Sequence, residues 1–310
     1  MNILWVLLLL FIEFHQLSGS FHQFDATEEV KYATIPSEIS GIDELDENGH
    51  SRLMIAAMTG QLEPLRNYID GGADLNIETN DGNTALMLAI KGRFYFTAMQ
   101  LIRAKAELNH RNRFGMTPLL LAIVSGHPDI VTGLLDYDAD PNIASADGTS
   151  ALMMAAQIGS IQMVDTLLKK GVDVNRQSQA GETALMFASS TGQVEIVKRL
   201  LNKGATVDTT NNRGYTAQVF ACIRGQRGTI DEILNEHPEI INNRDSMGRS
   251  ALDHAIYSNH QSAVEALVEK GADLPRSGYR VGSDVMKRRE KYLASQPKQY
   301  CSPVHKNPEL

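Results

Sequence analysis

The sequence predicts an all-α solenoid of about seven helix-turn-helix units joined by short β-turn loops. Three observations predict it. Glycine returns at Gly49, Gly82, Gly115, Gly148, Gly181 and Gly214, in steps of 33 residues, and once more at Gly248 after 34. Behind the glycines runs a fixed order of residue types, a hydroxyl two residues on, an apolar residue at four and alanine at seven. A second apolar stripe then follows and closes near another glycine. A long pattern returning seven times is far stronger than any single short motif. At 310 residues the chain also exceeds what one hydrophobic core usually organises, which favours an elongated array.

The elements follow in chain order. Ile3 to Ile12 (ILWVLLLLFI) is an unbroken apolar run ahead of Glu13, His15 and Gln16. As a helix it spans roughly 15 Å, half of a bilayer core of about 30 Å. Residues 1–20 therefore read as a secretory signal peptide, with Ser18 and Ser20 offering small residues at a cleavage site. No Lys or Arg precedes the run, so an uncleaved membrane anchor is the alternative. Residues 21–45 hold Tyr32, Ile35, Ile39 and Ile42, enough apolar surface to cover the exposed end of a first unit.

Residues 46–274 are the units themselves. Ser51, Thr84, Thr117, Ser150, Thr183, Thr216 and Ser250 stand where a hydroxyl accepts from the orphan amides of a helix start. Leu53, Leu86, Leu119, Leu152, Leu185 and Leu252 form a core column that Gln218 interrupts. The small Ala56, Ala89, Ala122, Ala155, Ala188, Ala221 and Ala255 let neighbouring helices approach closely. In the second helices, Ile130, Val131, Leu134 and Leu135, or Ile196, Val197, Leu200 and Leu201, carry the stripe of a helix with one buried face. Gly72, Gly171, Gly204 and Gly271 end those helices in the left-handed conformation. Residues 275–310 are basic, with eight Lys/Arg against three Asp/Glu, leaving −13 on the rest of a chain whose formal charge is −8. Here a short cap helix is expected from Ser283 to Ala294, followed by a mobile tail with three prolines.

Lines such as GNTALMLAIKG from Gly82 and GETALMFASSTGQVEIVKRLLNKGATVD from Gly181 resemble the ankyrin-repeat family. The resemblance covers about Asp46 to Leu274, and the T-A-L-M wording is similar to bacterial members more than to animal ones. It implies a binding protein whose partner contacts the residues beside each turn glycine and at the end of each first helix, which line one concave face.

Chemistry finds little support in the residue patterns. No His-x-x-x-His or Cys-x-x-Cys pair has ligand spacing, and neither a Gly-x-Ser-x-Gly elbow nor a phosphate-binding glycine loop occurs. No metal, no cofactor and no catalytic residue is expected. The acidic charge argues against nucleic acid as a partner. His127 is read as a local hydrogen-bonding residue and His254 as a core or capping histidine. Met54, Met87, Met153 and Met186 share one repeat position, where most ankyrin proteins carry His, and are read as gap-fillers between helices. Cys222 falls on an alanine position and is read as buried, and its pairing with Cys301 is left open.

Two patches stand out on the implied binding face, because interface energy concentrates in a few aromatic and Arg anchors. The first is Phe114, Met116 and Val124, either exposed for a partner or packed on a neighbouring turn. The second is Arg213, Tyr215, Arg224, Arg249 and Tyr257, either anchors or a solvated face. Arg93-Phe94-Tyr95-Phe96, where the second unit loses its inter-helix glycine, reads as a packing adaptation or a lateral contact. The expectation is a monomeric, non-catalytic interaction module or scaffold, periplasmic or secreted, binding another protein. A neutraliser of one toxin or enzyme and an accessory subunit of an enzyme are the alternatives.

Overall fold

The computed structural model describes residues 41–274 and 282–295. The apolar run 3–12, most of the expected N-terminal cap and Cys301 lie outside the described residues. Fifteen α-helices and no strand occur among the described residues. Fourteen of them alternate as first and second helices: α1 (Arg52–Met58) and α2 (Leu62–Asp70), α3 (Ala85–Lys91) and α4 (Tyr95–Arg103), α5 (Pro118–Val124) and α6 (Pro128–Asp136), α7 (Ala151–Ile158) and α8 (Ile161–Lys169). The rest are α9 (Ala184–Thr191) and α10 (Val194–Asn202), α11 (Ala217–Ile223) and α12 (Arg227–Glu236), α13 (Ala251–Tyr257) and α14 (Gln261–Glu269). First helices pack on neighbouring first helices and second on second. The single 34-residue step contains a 3-10 turn at Pro238–Ile240.

The leucine column and all seven alanines are buried in one continuous core. Met54, Met87, Met153 and Met186 are buried with them, and the Met153 sulfur also accepts from the Ser150 amide at 3.4 Å. Gln218 is buried too, with its Nε2 unpartnered among the described residues. Cys222 is fully buried, and burial pushes its thiol pKa far up, which leaves it unreactive.

Six of the expected hydroxyl caps form; Ser51, for example, accepts from the Met54 amide at 3.3 Å and Thr117 from Leu120 at 3.2 Å. Thr84 departs from the expectation. It makes no cap bond, and its buried Oγ1 has no partner among the described residues. A valine of the same shape removes an unpaired hydroxyl at position 84 but a formed cap at position 117. Thr84→Val is therefore expected to change stability by less than about 0.5 kcal/mol, whereas Thr117→Val costs about 1 kcal/mol. Equal denaturation midpoints for the two variants would contradict this account.

Two features that hold the stack together were not anticipated. Asn76, Asn109, Asn175 and Asn242 each accept, through Oδ1 at 2.9 Å, the backbone N–H of a residue 31 positions on. A polar side chain in one loop thus stitches it to the next. In four places the residue that opens a second helix, Phe94, Gln193, Gln226 or His260, also sits over the inter-helix glycine of the preceding pair. A Cβ on Gly60 would lie 2.3 Å from the Phe94 ring, and one on Gly225 would lie 2.7 Å from His260. Phe94 is accordingly a packing residue, and Arg93 takes the left-handed conformation at φ +64° where five other pairs have glycine and the last has Asn259. Tyr95 and Phe96 stay exposed, their rings in edge contact at 5.4 Å. His127 corrects its reading, since its Nε2 is buried without a partner among the described residues and burial, with Arg93 nearby, lowers its pKa.

At the C-terminal end, α15 (Ser283–Ser295) lies against α14. Val285 is buried, and Leu293 occupies the space that a side chain on Gly271 would need. Arg288 donates to Glu269 at 2.7 Å, and Arg227 of α12 reaches the same carboxylate at 2.8 Å.

Candidate functional site

The turns explain which predicted anchors face outward. In four of them a polar residue folds its side chain back into the loop. Asp46 Oδ1 accepts from the amides of Asn48 and His50, Asn112 Oδ1 from Phe114 and Met116, Asn211 Oδ1 from Arg213 and Tyr215, and Asp245 Oδ1 from Met247 and Arg249, all at 2.8–3.0 Å. These are Asx-type turns, which pin the backbone two and four residues on. The first amide owner sits at the tip and projects outward; the second turns in toward the first helix. Phe114 is thus 66 % exposed while Met116 packs on the core, and Arg213 is exposed while Tyr215 packs inward. Met247, left out of the predicted anchors, follows the rule at 73 % exposed.

Three pairs of neighbouring turns are bonded backbone to backbone along one edge. Arg113 N–H donates to the Asp81 carbonyl at 3.1 Å, Gln179 to Asp147 at 3.0 Å and Asn212 to Ala180 at 3.0 Å. Beside that edge the first helices leave one narrow stripe uncovered. It carries Leu121 and Val124 on α5, Met154 and Ile158 on α7, Phe187 on α9, and Phe220 and Ile223 on α11. Val124 and Arg224 are exposed, and Tyr257, closing α13, is 91 % exposed. Turn tips and stripe together form one surface, the inner face, opposite the second helices. On this face Asn48, Asn80, Asp81, Asn83 and Lys91 line a shallow cleft of ≈ 310 Å³.

Two of the predicted anchors belong to an internal network. The Asp245 carboxylate accepts from Arg249 Nε at 3.0 Å and lies 2.9 Å from His254 Nε2. Burial would raise its pKa, but the amides of Arg249 and Met247, with His254 and the Arg249 side chain, outweigh burial and hold it at about 2. Arg249 also donates to Tyr215 Oη at 3.3 Å, and the Tyr215 ring meets His254 edge-on at 4.9 Å. Tyr215 and Arg249 therefore build the site more than they present themselves to a partner. His254 is a core histidine, as its sequence position suggested. Opposite Arg213, the Glu182 carboxyl has its pKa raised by burial, against the opposing pull of that arginine.

Among the described residues no group of three or more His, Cys, Asp or Glu could hold a metal ion. No helix among them is long and apolar enough to cross a membrane.

The sequence matches the family model described as ankyrin repeats (3 copies) over residues 53–145, 140–211 and 204–277. Among solved structures, the human ASB11 ankyrin repeat domain matches with a TM-score of 0.64 and 26 % identity, over 73 % of this chain and 100 % of that one. The ankyrin repeat domain of Bcl-3, a member of the IkappaB protein family, matches with a TM-score of 0.62 and 25 % identity, over 71 % and 99 %. No curated protein matches the sequence.

Proposed function

Because the chain belongs to the ankyrin-repeat family, whose fold is typically a non-catalytic scaffold for binding other proteins, we propose that it binds one protein partner across its inner face. Each helix pair is one repeat in this reading. The first matched stretch contains three pairs and the other two contain two each, seven in all. The observation that carries the proposal is the exposure of Phe114 at the third turn and of Met247 and Tyr257 in the last pair, next to the sixth pair with its exposed Arg213 and Arg224. Large apolar side chains gathered on one surface mark an interaction site, and aromatic and Arg residues are the anchors interfaces favour.

Export belongs to the same proposal and rests on the apolar run Ile3–Ile12, which is too short to span a bilayer and fits the apolar segment of a signal peptide. In this reading the protein is a bacterial one that works in the periplasm or beyond.

The test is affinity capture from the native compartment with the full chain and with a variant carrying Arg213→Ala, Arg224→Ala and Tyr257→Ala. All three residues are exposed, so the fold is expected to survive the substitutions. One partner is expected to be captured and its affinity to fall about 100-fold or more in the variant. Capture at equal affinity by both would sink the inner-face assignment. N-terminal sequencing of the exported protein is expected to begin near residue 21; a start at Met1 overturns the cleaved-signal reading.

A further inference from the structure

The last two helix pairs separate charge by face. Their turns and first helices, residues 211–224 and 244–258, carry four arginines against two carboxylates. Their second helices with the residues that end them, 227–240 and 261–270, carry two cations against six carboxylates. Both inner carboxylates are engaged, Asp245 in its turn network and Asp253 in accepting from the Ser250 amide at 2.8 Å. Arg213 and Arg224 are exposed, and among the described residues neither is within ion-pair distance of a carboxylate, the nearest influence being Glu182 opposite Arg213, whose carboxyl has its pKa raised by burial. An otherwise acidic array thus offers positive charge on the one face where its apolar stripe is open.

That stripe has a measure. Leu121, Met154, Phe187 and Phe220 follow one another at 33 residues, one on each of α5, α7, α9 and α11, and all are half-buried. Those helices pack directly on one another, so the apolar side chains step along the face at the usual interhelical spacing of about 8–10 Å. In an α-helix, residues seven apart lie about 10.5 Å apart on nearly the same side. In an extended strand, same-face residues come every ~6.7 Å and fall out of step.

From this spacing and charge, and resting on the inner face being the binding surface, we propose that its occupant is an acidic amphipathic α-helix of the partner. The helix lies along the array with one heptad per helix pair. Its apolar side meets Leu121, Met154, Phe187 and Phe220, and its carboxylates meet Arg213 and Arg224. Tyr257 closes the far end.

A display library of helix-forming peptides of about 28 residues, four heptads, is selected on the full chain. Enriched peptides are expected to be rich in Asp and Glu and to repeat an apolar residue every seven positions. Binding of the best peptide is expected to weaken about tenfold or more on Arg213→Glu with Arg224→Glu, and to be lost when its apolar residues are respaced at equal composition. Enrichment of basic or proline-rich peptides, no enrichment at all, or binding indifferent to the two reversals or to the respacing overturns the helix proposal. The broader reading fails separately. If capture of the protein partner depends on Arg213, Arg224 and Tyr257 while its bound segment is basic or extended, the inner face stands and the helix assignment falls.

Discussion

Asp245→Ala is expected to destabilise the C-terminal part of the array by about 3 kcal/mol. The carboxylate is buried and serves four donors, the amides of Met247 and Arg249 and the side chains of Arg249 and His254. Removing it unlocks the turn and leaves His254 buried without that partner, whereas Arg249 can regain water. Asp245→Asn keeps an acceptor for the two amides and is expected to lose about half as much. The pH dependence has a definite sign. The folded carboxylate titrates at about 2, below its usual range, so its contribution is complete above about pH 4 and fades as pH falls toward 2. Wild type and Asp245→Ala should therefore converge in stability on acidification across that window. A change under 1 kcal/mol at neutral pH, measured by denaturant unfolding, would mean that the turn holds without its carboxylate.

Gly181→Ala is expected to cost about 3 kcal/mol, against about 1 kcal/mol for Gly72→Ala. Both glycines are left-handed, at φ +77° and +82°, so both variants take the same conformational penalty. Their surroundings differ. A Cβ on Gly181 would lie 2.9 Å from the Asn212 amide nitrogen and 3.0 Å from the Asn211 Cα, while one on Gly72 meets nothing within 4 Å. The neighbouring turn has little room to retreat, because Asn212 is tied back through its amide to Ala180 at 3.0 Å and through Nδ2 to the Gln179 carbonyl at 2.9 Å. Equal losses for the two variants, read from their denaturation midpoints, would show that the turns slide freely over one another.

The candidate surface was partly legible in the sequence. Repeat position alone placed Arg213, Arg224 and Tyr257 on the open face, because an exposed helix end or turn tip returns at the same step in every unit. It did not separate Phe114 from Met116, or Arg213 from Tyr215. Both members of each pair flank a glycine, and only the Asx turn decides which of them projects. A signal for this was present. Asn112, Asn211 and Asp245 stand at the same distance before their glycines, and such a residue marks a turn that closes on its own side chain.

What the sequence by itself determined is the repeating unit: its 33-residue step, the two helices, the leucine and alanine columns and the glycines that end the second helices. These follow from local propensity and from apolar period, which act within one or two turns of chain and were restated in every unit. What only the tertiary structure decided is how one unit meets the next. The Asn ladder at 31 residues, Phe94 over Gly60 and the meeting of Tyr215 with Arg249 and His254 all join groups whose approach depends on the stacking of separate turns and helices. The physical reason is range. A cap or a helix face is settled by neighbours along the chain, whereas a contact across the stack depends on how closely two backbones approach, and that distance is set by the packing of the whole array.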